Sequence, residues 1–192
     1  MVANIRSGSS PGGALRYNKE KEDKDEAEVL FWQKMLEPFD KHGRMDIDAC
    51  MESFWPYLEA NRRTTNTVFH ASLNPSPEDR LTDEQLRKIA CEYMERMGYG
   101  NQPYIVFKHK DIERQHLHIV SLRVDEQGRK ISDPHEYDRS MSVLRICNQN
   151  CKHADRIGSI CNKAYHICNN RYRNVAHDRL FLSYQNKSTN LI

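Results

Sequence analysis

YIVFKHKDIERQHLHIVSLRV, residues 104–124, decides how this chain folds. Tyr104–Lys108 has the aromatic and β-branched content of a strand, and Gln115–Val124 is a second run of the same kind. The charged segment between them, Asp111–Arg114, suits the turn of a hairpin. Successive strand side chains point to opposite faces, so His116 and His118 share one face. A hairpin folds His109 back beside that pair. Three neutral imidazoles converging on one point make a metal site with positions left open for substrate. Histidine is also an ordinary polar side chain, and the chain has nine of them. What sets these three apart is a pair on one strand face with a third at hairpin distance. Asp111 reads either as a fourth ligand or, preferably, as the carboxylate that orients a ligand histidine.

Upstream, Thr82 and Gln85 form a capping box that opens a helix. Leu86, Ile89, Ala90, Tyr93, Met94 and Met97 recur on its one face, and Gly98 ends it. Before it, Thr67–Leu73 alternates as a strand, with Val68 and His70 on one side and Phe69, Ala71 and Leu73 on the other. The segment Asn74–Arg80, rich in proline, stops that strand. Residues 46–60 place Ile47, Cys50, Met51, Phe54 and Leu58 at helical spacing, interrupted by Pro56. Residues 29–41 are apolar enough to pack, and Lys19–Glu28 is a charge run with the character of a solvated loop or helix face. The first five residues suit a short strand, and Ser7–Gly13 a flexible loop. Ser9 or Ser10 then caps a helix starting near Pro11. Downstream, Asp125–Gly128 is a turn. The order strand, helix, helix, strand, helix, strand, strand predicts an α+β fold with a central, mainly antiparallel sheet flanked by helices.

A length of 192 residues fits one domain, with room for an appendage. The net charge of +2 gives no basic field that advertises nucleic acid; local clusters such as Arg62-Arg63 carry more meaning. No apolar run approaches the ~20 residues of a membrane span, so no membrane insertion is expected. The N-terminus lacks the apolar core of a secretory signal. These features predict a cytoplasmic protein whose six cysteines are thiols or metal ligands rather than disulfides. From about residue 141 the chain becomes rich in Cys, His and Asn, with Cys147, Cys151, Cys161, Cys168, His153 and His166 close together. That composition suits a small zinc-binding appendage or a poorly packed tail, and the spacings do not form paired CxxC motifs.

A three-histidine metal site suits Lewis-acid chemistry on a phosphoryl oxygen. A nucleophile is needed as well, and neither a serine elbow nor a glycine-rich phosphate loop is present. Tyr17, just after Gly12-Gly13, is the candidate, since an activated phenol forms covalent intermediates. One tyrosine among nine also suits core packing. Arg62 and Arg63 suit phosphate contacts or a solvated basic pair.

The stretches GSSPGGALRYNKEK, FHASLNPSPEDRLTDEQL and YMERMGYGNQPYIVFKHKDIERQHLHIVSLRVDEQGRKISD together resemble the relaxases. Within the HUH endonuclease superfamily, they are most similar to the mobilisation nickases of plasmids and conjugative transposons. The resemblance covers residues 1–140, which it marks as a relaxase domain. It implies Tyr17 as nucleophile, His109, His116 and His118 as ligands of a divalent cation, and His70 as a contact to DNA or to the tyrosine. His70 also suits a strand histidine hydrogen-bonded at the sheet edge. The implied reaction nicks one strand at a transfer origin, leaving a 5′-phosphotyrosyl enzyme and a free 3′-hydroxyl. The implied cofactor is Mg or Mn, although imidazoles also accept Zn, Ni or Co. Implied partners are single-stranded origin DNA, an accessory mobilisation protein and a coupling ATPase. The resemblance also implies a long helical region after Arg139-Ser140, where this sequence turns into the tail, residues 141–192. The tail is read as a truncated or altered C-terminus, or as an appendage. Two other readings stay open: an origin-binding replication or accessory protein that nicks weakly or not at all, and a metal-dependent phosphoesterase that forms no tyrosyl intermediate.

Overall fold

The computed structural model describes residues 1–152 apart from Pro77 and Glu113. The elements are β1 (Val2–Gly8), α1 (Pro11–Glu22), β2 (Ala27–Gln33), α2 (Ile47–Ala60), β3 (Val68–Asn74), α3 (Asp83–Arg96), β4 (Tyr104–His109), β5 (His116–Leu122) and α4 (Glu136–Lys152). The strands form one sheet in the order β1-β3-β5-β4-β2, every pair antiparallel. This is the α+β architecture expected from the sequence.

Alternation along the strands divides the sheet into two unlike faces. Phe69, Ala71 and Leu73 of β3, Leu117 and Ile119 of β5, and Tyr104 and Val106 of β4 join Leu86, Ile89 and Met94 of α3 and Leu144 of α4 in one apolar layer. On the other face Val120 and Leu122 of β5 and Ile105 and Phe107 of β4 pack under Leu15 of α1 and Phe54 and Tyr57 of α2. That second layer covers only one end of its face; towards the other end the same parity presents His70, Ser72, His116 and His118. The cost of leaving polar residues on a sheet face is met by the large apolar layer behind them.

α3 begins as the sequence indicates. The Thr82 hydroxyl accepts from Gln85 N at 3.3 Å, Gln85 Oε1 accepts from Thr82 N at 2.8 Å, and Gly98 follows the helix with φ +86°. Four features depart from the sequence reading. β1 extends to Gly8, because pairing with β3 continues through Ser7 and Gly8. Pro56 does not interrupt α2: buried Phe54 and Tyr57 on either side hold the helix to the core across the missing hydrogen bond. The segment from 29 contains a fifth strand, β2, which starts inside the charge run and pairs with β4 through a register shift between Val29 and Phe31. That bulge breaks the period-two pattern by which a strand is read. Lastly, α4 crosses residue 140, burying Val143, Leu144 and Cys147 against α3 and the sheet. The remaining tail cysteines and histidines, with the zinc-binding appendage proposed for them, lie outside the described residues or side chains.

α4 is held to the sheet by Arg123, which is 1% exposed. Its Nε donates to Val68 O at 3.1 Å, and its two terminal nitrogens donate to the Glu136 carboxylate at 2.9 and 2.7 Å. The planar guanidinium matches a carboxylate in this bidentate way. Among the described residues, no helix is long and apolar enough to cross a membrane. Glu136→Gln removes the bidentate partner of the buried guanidinium, leaving only Asp133 at 3.8 Å, and is expected to lower stability by about 3 kcal/mol in urea unfolding; a loss below about 0.5 kcal/mol, the usual range for surface changes, would show that the pair does not hold the helix.

Candidate active site

The site grows from the β4–β5 hairpin. His109 lies directly opposite His116, and His118 opposite Phe107, so all three imidazoles emerge on the α1 face. Their ring centroids are 4.2 Å apart for His109–His118 and 5.2 Å for each of the other two pairs. One ring nitrogen from each gathers into a group whose atoms lie within 4.8 Å of one another. His109 Nε2 bonds Asn18 Oδ1 at 2.8 Å, while its Nδ1 is buried without a hydrogen-bond partner. An orphaned buried acceptor is costly unless something outside the chain satisfies it. This donor set, neutral nitrogens with one unsatisfied, is compatible with a divalent cation.

Burial keeps His109 and His118 uncharged. Burial, then the neighbouring His116, pushes His109 down to about 4. Burial, then His109, pushes His118 down to about 2. His70 is also lowered, by burial and then by the charge of Arg6. Metal binding needs deprotonated imidazole, so these shifts suit the ligand role.

α1 brings in the tyrosine. The Ser10 hydroxyl accepts from Gly13 N at 3.0 Å, Pro11 occupies the first turn, and Leu15 is fully buried. Asn18 is buried too; its Nδ2 donates to Ala14 O at 2.8 Å while its Oδ1 meets His109. Tyr17, one residue earlier, is 43% exposed. Its ring centroid lies 5.9 Å from that of His118, 6.1 Å from His109 and 6.4 Å from His70. His70 Nε2 is 3.0 Å from His118 Nδ1, so the two rings share a hydrogen bond. Asp111 Oδ1 stands 3.6 Å from His116 Nε2, too far for a hydrogen bond, and Asp111 Oδ2 pairs with Lys21 Nζ at 3.0 Å. Burial opposes ionisation of Asp111, but Lys21 and His116 outweigh it and hold the carboxyl below its usual range.

A cleft of about 260 Å³ opens beside Tyr17, lined by Asn4, Arg6, Ala14, His70, Ser72 and His118. The structure thus gathers Tyr17, His70, His109, Asp111, His116 and His118. Arg62 and Arg63 are not gathered with them. They are exposed in the α2–β3 connection, and Asn61 just before them donates to Gly128 O beyond the Leu122 end of β5, away from His116. The sequence reading missed Asn18, Arg6, Asn4 and Ser72. The alternation Ala3, Asn4, Ile5, Arg6 carries the signal for a polar face of β1; nothing in the sequence marks Asn18 except its place beside Tyr17.

Residues 17–155 match the relaxase family described as MobA/VirD2-like, nuclease domain, over well more than half of the chain. The chain belongs to the relaxase family. No curated protein matches it. As a relaxase nuclease domain it is a DNA-acting protein, and the three-histidine cluster is the part of it suited to a metal.

The depressed histidines set a pH window. Their folded pKa values lie below the ordinary ~6.5 of the unfolded chain, so the unfolded state takes up protons first as pH falls. Their contribution to stability is therefore complete above about pH 6.5 and is lost progressively as pH falls, towards about pH 4 for His109 and about pH 2 for His118. In chelator, His118→Phe is expected to lose stability less steeply than the unmodified relaxase between pH 7 and 4, followed by urea midpoints; parallel slopes would refute a buried neutral His118.

Proposed function

We propose that this relaxase nicks one strand of single-stranded origin DNA by transesterification, with Tyr17 as nucleophile. The observation that carries the proposal is the placing of the Tyr17 ring about 6 Å from the rings of His70, His109 and His118 at the wall of an open cleft. Solvent reaches the half-exposed Tyr17, so its phenolic proton leaves to water or to a base carried by it. The phenolate oxygen attacks the phosphorus, forming a P–O bond to Tyr17. The bond from phosphorus to the 3′-oxygen breaks, and that oxygen takes a proton to become the free 3′-hydroxyl. One phosphoester replaces another, so the reverse attack reseals the strand.

His109, His116 and His118 would hold the divalent cation, Mg or Mn by family resemblance, with Zn, Ni or Co suited to the same nitrogens. When bound, it supplies positive charge that offsets the charge developing on the phosphoryl oxygens. The chain's own groups position that set. Asn18 fixes the His109 ring, His70 fixes that of His118, and Asp111, beside His116, acts as an outer carboxylate rather than a ligand. Arg62 and Arg63 would meet DNA phosphates only beyond the cleft. In the cell the reaction serves conjugative mobilisation from the cytoplasm, with an accessory mobilisation protein to open the origin and a coupling ATPase to move the strand.

Trapping on a denaturing gel tests the chemistry. With Mn²⁺ and a labelled single-stranded origin oligonucleotide, a covalent adduct is expected for the relaxase and none for Tyr17→Phe. His118→Ala is expected to slow adduct formation at least about 100-fold. An adduct that survives Tyr17→Phe, or none from the unmodified protein, overturns the tyrosyl mechanism. The cation is tested separately: Mn²⁺ at about 100 times its Kd should add about 2.7 kcal/mol to unfolding stability, and this gain should vanish in His116→Ala.

A further inference from the structure

The histidines occupy only part of their face, and the cleft runs on from them towards the sheet edge. Strand register lays its floor out in rows. Asn4 of β1 lies opposite Ser72 of β3, which lies opposite His118 of β5, and Arg6 lies opposite His70. Neighbouring strands are about 4.8 Å apart, so Arg6 on the edge strand is two strand spacings, about 10 Å, from the β5 backbone that carries His116 and His118. Arg6 is exposed and lines the cleft together with Asn4, Ser72 and His70.

Two observations mark this end of the cleft as an anion site. No acidic side chain is among the residues that line it. Arg6 has no carboxylate partner among the described residues, whereas Lys19, Lys21, Lys108 and Arg123 around the same sheet all do. Arg6 stands directly opposite His70 across the β1–β3 pair and lines the cleft with it. An unpaired guanidinium beside a serine hydroxyl and an asparagine amide is a donor set for phosphate oxygens.

We infer that Arg6, flanked by Asn4 and Ser72, binds a backbone phosphate of the DNA strand next to the one presented to Tyr17. The strand then crosses the sheet from β4 towards the β1 edge, and Arg6 fixes its register. Arg6 is a positioning residue, with no part in bond making. This inference rests on reading the cleft as the DNA-nicking site.

The test separates grip from chemistry by working in chelator and in a Tyr17→Phe background. Binding of fluorescent (dT)30, (dA)30 and (dC)30 is followed by anisotropy at several salt concentrations. Each phosphate neutralised on a single strand contributes about −0.7 to the slope of log K against log salt. Arg6→Gln is expected to make that slope shallower by about 0.7 and to weaken binding to all three oligonucleotides alike, by about fivefold near 100 mM salt. Arg6→Lys, which keeps the charge, should restore most of both. An unchanged slope in Arg6→Gln overturns the inference. So does a loss confined to one base, which would make Arg6 a reader of sequence. Failure of the tyrosyl mechanism appears instead in the adduct assay and leaves these slopes untouched.

Discussion

The pairing of His109 opposite His116 is the constraint on which the rest of the site depends. Side-chain direction in a strand has a period of two, so a slip of one residue would send an entire strand's set to the other face. The register is fixed by apolar alternation: Leu117, Ile119, Tyr104 and Val106 fill the layer under α3 and α4. Lys108 obeys the same parity. It lies away from the histidines and bridges Glu28 of β2 and Asp83 at the start of α3, at 2.5 and 2.6 Å. The apolar layer behind the sheet thereby decides which residues stand in front of it.

The second element of the site is a helix placed by its own end. Ser10 caps α1, Leu15 anchors it, and Asn18 ties it both to its own backbone and to His109. Tyr17 is exposed because its neighbours on the helix, Leu15 and Asn18, are the buried ones. The nucleophile candidate needs no special contact of its own; it is held by Leu15 two residues before it and Asn18 one after.

Much of this was legible in the sequence because its signals are local. The hairpin, the capping box at Thr82 and Gln85, and the shared face of His116 and His118 each follow from residues a few positions apart. β2 was not legible, because a bulge shifts its period and its first residues sit in a charge run. α4 was obscured by its composition: buried Val143, Leu144 and Cys147 are set among polar residues, and their anchor, Arg123, belongs to a different part of the chain. Asn18 and Arg6 escaped for the same reason. Each matters through a partner far away in sequence, His109 for one and His70 for the other.

That contrast in sequence separation orders how the site comes into being. The three imidazoles belong to one hairpin, so a short loop closure is enough to collect them. The bond between Asn18 and His109 joins residues 91 positions apart, and β1 reaches β5 only through β3. Non-local contacts of that kind form late, after the loop entropy between them has been overcome. Contacts within the hairpin therefore close far shorter loops than the one that brings α1, with Tyr17, against it.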